Sequence, residues 1–240
     1  MKRLVFKGCL ILSIGALLFG GYIYQQIFSS LTKIDQIILV PTGTSHEALK
    51  DSLRSHQLLK NEFVFDWLCS KKKYQNIYPG RYLVNSDMEL NSLVNMLRLG
   101  AQKPLNIIFN NTSTIQDLAG KLSHQIEADS LSLLQAFRDE MFFSTYDFNE
   151  VSIRKLFIPN TYEVYWTITP TEFLERMQKE YNRFWSDARL LKAEAIGLSP
   201  HEVSVLASIV QKETAKSDEQ PVVAGLYMNR LKQGMKLQSD

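Results

Sequence analysis

Glu213 is the residue in this chain placed best for acid–base work. Ser199-Pro200-His201-Glu202 reads as a helix start, with Ser199 as cap, Pro200 at the first position and Glu202 closing a capping box. From Pro200 to about Ala215 the residues Val203, Leu206, Ala207, Ile209 and Val210 recur at helical spacing and define an apolar face. Glu213 lies on that face, seven positions after Leu206 and about 20° from it in projection. A carboxyl group on an apolar stripe is expected to be partly desolvated, which disfavours the charged form and keeps a proton available near neutral pH. A proton donor of that kind can protonate a leaving glycosidic oxygen. The competing reading is a surface residue at a frayed helix end, paired with Lys216. The four histidines, His46, His56, His124 and His201, are scattered. Ser208 has no His and carboxylate grouped with it in sequence, so a nucleophilic triad has no support.

The elements that must hold Glu213 follow from local patterns. A polar turn at Ser217-Asp218 leads into a helix carrying Val222, Val223, Leu226, Tyr227 and Leu231 that stops at Gly234. Two helices joined by that turn place Glu213 at the mouth between them, with Asn229 and Arg230 far along the second. From Pro170 onward the chain reads as all helix. Upstream, Leu156 to Trp166 is aromatic-rich and strand-like with a Pro159-Asn160 turn. It reads either as a core strand or as a wall suited to a pyranose face.

Before residue 150 short strands alternate with short helices. Strands are expected at Ile37–Val40, Arg81–Val84 and Leu105–Phe109. Helices are expected after a Thr44/Glu47 capping box, over Phe63–Leu68, from Leu90 to a stop at Gly100, after Thr114, and over Ser130–Phe137. Phe142–Asn149 reads as a connector. The fold class expected is α+β.

Lys2, Arg3 and Lys7 precede an uncharged apolar stretch over residues 8–28, long enough to cross a roughly 30 Å hydrocarbon core as a helix. Positive charge ahead of it keeps residues 1–7 cytoplasmic and exports the rest. The apolarity runs past any small-x-small site, which favours an uncleaved anchor over a cleaved signal peptide. With 27 basic and 25 acidic residues the net charge is +2, which leaves no basic footprint for nucleic acid. The two cysteines, Cys9 and Cys69, offer neither a metal spacing nor a disulfide framework, and Cys69 reads as a small buried apolar residue.

The run Leu206-Ala207-Ser208-Ile209-Val210-Gln211-Lys212-Glu213-Thr214-Ala215, with Val223-Ala224-Gly225-Leu226-Tyr227-Met228-Asn229-Arg230-Leu231 and the closing Leu237-Gln238-Ser239-Asp240, resembles the YceG-like, or MltG, family of endolytic murein transglycosylases. Phe157-Ile158-Pro159-Asn160-Thr161-Tyr162 and Pro79-Gly80-Arg81-Tyr82 are similar to further family segments, the latter in its LysM-like region. The resemblance implies an N-terminal transmembrane helix, a small LysM-like α+β module over residues 29–150 and a mainly helical catalytic domain over 151–240. It implies a cut between MurNAc and GlcNAc within a peptidoglycan strand, leaving a 1,6-anhydro-MurNAc end. Glu213 would be the general acid and base, with Gln238, Asn229 and Tyr162 binding substrate, and with no metal or cofactor. It also implies a single-pass protein of the bacterial inner membrane working on the periplasmic side, with peptidoglycan strands and cell-wall synthases as partners. Family members continue past the Leu-Gln-Ser-Asp motif, so a C-terminally incomplete catalytic domain is expected. Two other functions stay open: a membrane-anchored peptidoglycan-binding scaffold with an inactive catalytic domain, and a muramidase that uses water.

Overall fold

A computed structural model describes residues 2–109, 114–146, 148–150 and 152–237, with backbone only for residues 2–11. In chain order it contains α1 (Lys2–Phe28), β1 (Gln36–Val40), α2 (His46–Ser55), α3 (Glu62–Lys71), β2 (Gly80–Val84), α4 (Leu90–Leu99), β3 (Leu105–Phe109) and α5 (Ile115–Ser123). After these come α6 (Ser130–Ala136), α7 (Glu140–Tyr146), a 3-10 turn (Ile153–Leu156), β4 (Asn160–Val164), α8 (Pro170–Phe184), α9 (Asp187–Ala195), α10 (Pro200–Glu213) and α11 (Gln220–Lys232). The fold is a helix-dominated α+β arrangement with two small sheets, β1–β2 and β3–β4.

The chain divides into two compact units. The first takes in Met1–Ile108, Gly120–Asp129 and Thr161–Ile168, and the second Phe109–Ala119, Ser130–Asn160 and Thr169–Asp240. In the first unit β1 and β2 are antiparallel, with Ile38 opposite Tyr82 and Val40 opposite Gly80. The two-residue period turns Ile38, Val40, Tyr82 and Val84 into a core with Leu49, Leu53, Val64, Phe65, Leu93 and Leu97. Burial pushes the Cys69 thiol up to about 12, in keeping with a small apolar core residue. The cap of α2 is Ser45, whose hydroxyl accepts the Ala48 N–H at 3.1 Å. The expected Thr44 instead donates its hydroxyl to the Pro41 carbonyl at 2.6 Å and closes the preceding turn. As expected, α4 stops at Gly100, whose φ of 62° is left-handed.

α1 is a continuous helix, but among the described residues no helix is long and apolar enough to cross a membrane. The side chains of residues 1–11, on which the expected span partly rests, lie outside the described residues. The C-terminal end of α1 and the residues that follow it also serve the first unit. Ile27 and Leu31 are buried in the core, Ile23 packs against it, and Asn61 Nδ2 donates to the Tyr22 hydroxyl at 3.3 Å. Leu12, Leu17, Leu18 and Phe19 stand exposed.

The second unit is built on aromatic rings. Phe137 and Phe157 lie 5.0 Å apart by ring centroids, and Phe173 stacks on Phe157 at 6.3 Å. A capping box in which Thr169 and Glu172 bond each other's backbone N–H starts α8. The expected connector at Phe142–Asn149 is helical as far as Tyr146, because Phe142 is buried and rings with Tyr146 at i+4 spacing.

Candidate active site on α10

The capping box that starts α10 forms as the residue pattern suggests. Ser199 Oγ accepts the Glu202 N–H at 3.2 Å, and Glu202 Oε2 accepts the Ser199 N–H at 2.8 Å. The backbone N–H and hydroxyl of Ser199 hold the Glu202 carboxyl below the usual carboxylate range. Leu206 and Val210 then pack with Tyr227 of α11 into a small separate core.

Glu213 is the last residue of α10. Thr214 leaves the helix at once, with φ −145° and ψ 137°, while its N–H still closes on the Val210 carbonyl at 3.1 Å. A clamp forms beyond it. Thr214 Oγ1 donates to Glu219 Oε2 at 2.7 Å and accepts the Lys216 N–H at 3.1 Å, and Lys216 Nζ bonds Glu219 Oε1 at 2.9 Å. Lys216 and Thr214 together draw the Glu219 carboxyl below its ordinary value. The pairing of Glu213 with Lys216 is therefore replaced by a Lys216–Glu219 pair, three residues apart.

The desolvation expected for Glu213 is not present. It keeps the azimuth of Leu206 but is exposed, because α11 begins only at Gln220 and its buried contact is made further along by Tyr227. Among the described residues no hydrogen bond or ion pair engages its carboxyl group. Of the other three candidates, Asn229 alone is a described residue of the same unit as Glu213. Asn229 is exposed on α11, roughly 14 Å along the helix from Gln220. Tyr162 belongs to the first unit and is buried, with 3% of its surface exposed, which leaves little of it to touch a sugar. Gln238 lies outside the described residues. Among the described residues no group of His, Cys, Asp and Glu side chains could hold a metal ion.

A cavity of about 450 Å³ lies on another side of α10, wholly within the second unit. Phe157, Ile158 and Pro159, the first half of the aromatic segment, form part of its wall, with Arg154 and Lys155 beside them. α10 contributes Ser204, Val205, Ser208 and Gln211. Ser204 donates to the Pro200 carbonyl at 2.9 Å and Ser208 to the Val205 carbonyl at 2.7 Å, so neither hydroxyl is activated by a base. Lys155 Nζ meets His201 Nε2 at the start of the same helix. These residues escape a reading that follows only the apolar stripe. Their signal is Ser-x-x-x-Ser-x-x-Gln on the opposite side, at spacings of four and three.

The chain resembles known proteins over most of its length. It is 25% identical over 260 aligned residues to the endolytic murein transglycosylase of Streptococcus pneumoniae, covering 92% of this chain and 46% of that protein. The Bacillus subtilis endolytic murein transglycosylase is 20% identical over 94% of this chain and 67% of its own length. The chain thus spans about half the length of its pneumococcal relative. The crystal structure of a yceG-like protein from Listeria monocytogenes shares the fold, with a TM-score of 0.50 and 19% identity over 87% of this chain and 74% of that one. Residues 38–240, which include α10, its clamp and the cavity wall, match the family's sequence pattern, and the chain belongs to the YceG-like family.

Proposed function

We propose that this chain is an endolytic murein transglycosylase that cuts the β-1,4 bond between MurNAc and GlcNAc inside peptidoglycan strands. The observation that carries the reading is Glu213 itself, an exposed carboxyl group at the end of α10 with no partner among the described residues. The clamp beside it supports the reading by engaging Lys216 with Glu219, so that Lys216 does not pair with Glu213.

In the proposed reaction Glu213 gives its proton to the glycosidic oxygen, and the bond from C1 of MurNAc to that oxygen breaks. The resulting carboxylate takes the proton of the MurNAc C6 hydroxyl as its oxygen bonds to C1. The products are a GlcNAc 4-hydroxyl end and a 1,6-anhydro-MurNAc end, and no water is consumed. One carboxyl group serves both steps because the nucleophile belongs to the sugar, unlike the two-carboxylate scheme of most glycosidases. Asn229 and Gln238 are proposed to position the strand, whereas the burial of Tyr162 suits support of the 157–162 segment better than contact with sugar.

After α1 the first unit runs β1–α2–α3–β2 with an antiparallel strand pair, an order that supports reading a LysM-like module within residues 29–150, ahead of a catalytic part over 151–240. The N-terminal helix is read as a single-pass inner-membrane anchor that sets both on the periplasmic side. Its exposed Leu12, Leu17, Leu18 and Phe19 favour this, and the bond from Asn61 to the Tyr22 hydroxyl is compatible with a tyrosine at the membrane interface. Cell-wall synthases are the protein partners that suit such a placement.

The test is to digest peptide-free glycan strands with the 240-residue chain and analyse the products by mass spectrometry. Anhydro ends, lost in Glu213→Gln, support the proposal. Ends one water heavier indicate a muramidase, and co-sedimentation without products indicates a binding scaffold.

A further inference from the structure

We propose that the cavity on the side of α10 away from Glu213 is a subsite for the free C-terminal carboxylate of a stem peptide, so that the protein distinguishes uncrosslinked strands. The inference rests on the peptidoglycan reading above and adds a second point of contact to it. At about 450 Å³ the cavity has the size of a small-ligand site. Its wall has three chemistries. Phe157, Ile158, Phe184 and Val205 make an apolar surface that suits methyl groups. Arg154 and Lys155 supply cationic donors along one stretch of wall. Ser204 and Ser208 spend their hydroxyl protons on helix carbonyls, so the sides they turn outward can only accept hydrogen bonds.

A ligand matching all three has a negative charge, small apolar side chains and N–H donors. The D-alanyl-D-alanine end of an uncrosslinked stem peptide carries two methyl groups, amide N–H groups and a terminal carboxylate. In a peptide-bearing strand the MurNAc lactyl carboxyl is tied up as an amide, so the sugars themselves carry no charge and the free end of the peptide supplies one. Burial and the neighbouring Arg154 push the Lys155 ammonium below its ordinary value, and an arriving carboxylate would relieve that strain. His201 takes one of the Lys155 contacts, which leaves the ammonium further donors for an anion.

Placement on the helix agrees. Ser204, Ser208 and Gln211 lie roughly 140–180° around α10 from Glu213. Ser208, the nearer of the two serines, lies about 12 Å of arc around a helix of about 10 Å diameter and about 7.5 Å along its axis from Glu213, a path of about 14 Å that about five extended residues span. A glycan lying over Glu213 can therefore lead a pentapeptide around α10 to the cavity. The donor stem of a crosslink, whose carboxyl end is an amide joined to another strand, would offer no carboxylate there.

The probe is diacetyl-L-lysyl-D-alanyl-D-alanine, titrated into the isotope-labelled 240-residue chain alongside the same tripeptide with a C-terminal amide. The acid should bind, shift the amide signals of Ser204, Ser208 and Gln211, and bind at least about ten-fold more tightly than the amide. Lys155→Gln should weaken the acid by about ten-fold and leave the amide unchanged, and Val205→Trp should block both. Equal binding of acid and amide, or binding unchanged in Val205→Trp, would overturn the proposal. Glu213→Gln should bind the tripeptide as wild type does. Cleavage of peptide-free strands without tripeptide binding defeats the subsite alone, and tripeptide binding without cleavage defeats only the enzymatic reading.

Discussion

Phe157→Ala should cost the second unit about 3 kcal/mol. The ring is 7% exposed and touches Phe137, Phe109 and Phe173 at centroid distances of 5.0, 6.3 and 6.3 Å. Loss of a buried Phe side chain costs about 3–5 kcal/mol, made up of lost transfer energy and of the void left behind. The lower end applies here, because Phe157 also lines the α10 cavity and water can enter the space that the ring vacates. Phe157→Leu keeps most of the apolar area and loses mainly the ring geometry, so about 1 kcal/mol is expected. Trp185 is the reporter, since it is 9% exposed in the second unit and lies 5.4 Å from Phe184. With Trp67 and Trp166 changed to Phe, its fluorescence follows urea unfolding. At a slope near 2 kcal/mol per M the midpoint should fall by about 1.5 M for Phe157→Ala and about 0.5 M for Phe157→Leu. Equal midpoints for the two variants, or a fall below about 0.5 M in the alanine variant, would refute the aromatic cluster as the main support of this unit.

Three further outcomes are expected. The folded Glu219 carboxyl titrates below its ordinary 4.5, so the clamp's contribution is complete above the unfolded value and is lost as pH falls through the folded one. Carboxyl NMR should give a midpoint under 4.5 that rises in Lys216→Gln, and an unmoved midpoint would show that the clamp is not formed. In a Cys9→Ser background Cys69, at about 12, should be roughly one part in 10⁴ thiolate at pH 8 and should react with a disulfide reagent only on unfolding. Gly100→Ala should destabilise the first unit by about 1 kcal/mol or more in thermal unfolding, since φ is 62° and the new Cβ would lie 3.2 Å from the Tyr78 side chain.

Legibility in the sequence followed the range of the forces involved. Ser199-Pro200-x-Glu202, the Gly100 stop and the short strands at Ile37–Val40 and Arg81–Val84 are local, and each appears where its residues suggested. At α2 two hydroxyls in a row competed for the cap. Ser45 took it because Thr44 was already committed to the Pro41 turn, a choice that spacing alone does not resolve. Burial was harder to read. The azimuth of Glu213 was right, but whether a residue on an apolar face is covered depends on where the next helix starts. Tyr162 shows the converse, since its aromatic segment divides, with Phe157–Pro159 on a cavity wall and Tyr162 in a core. The C-terminal end of the apolar N-terminal stretch looks uniform in sequence, yet Ile27 belongs to the globular core. The cavity itself needs Arg154 and α10 brought together, and no window of sequence contains both.

The central claim rests on one carboxyl group, and a side-by-side digest of peptide-free glycan strands by the wild-type chain and Glu213→Gln tests it most directly. Glutamine keeps the shape and removes the proton. The rate of appearance of anhydro-MurNAc ends should fall at least about 100-fold, while the circular dichroism spectrum and thermal midpoint stay at wild-type values. Anhydro ends forming in Glu213→Gln as fast as in the wild type would contradict the assignment and place the chemistry on another residue.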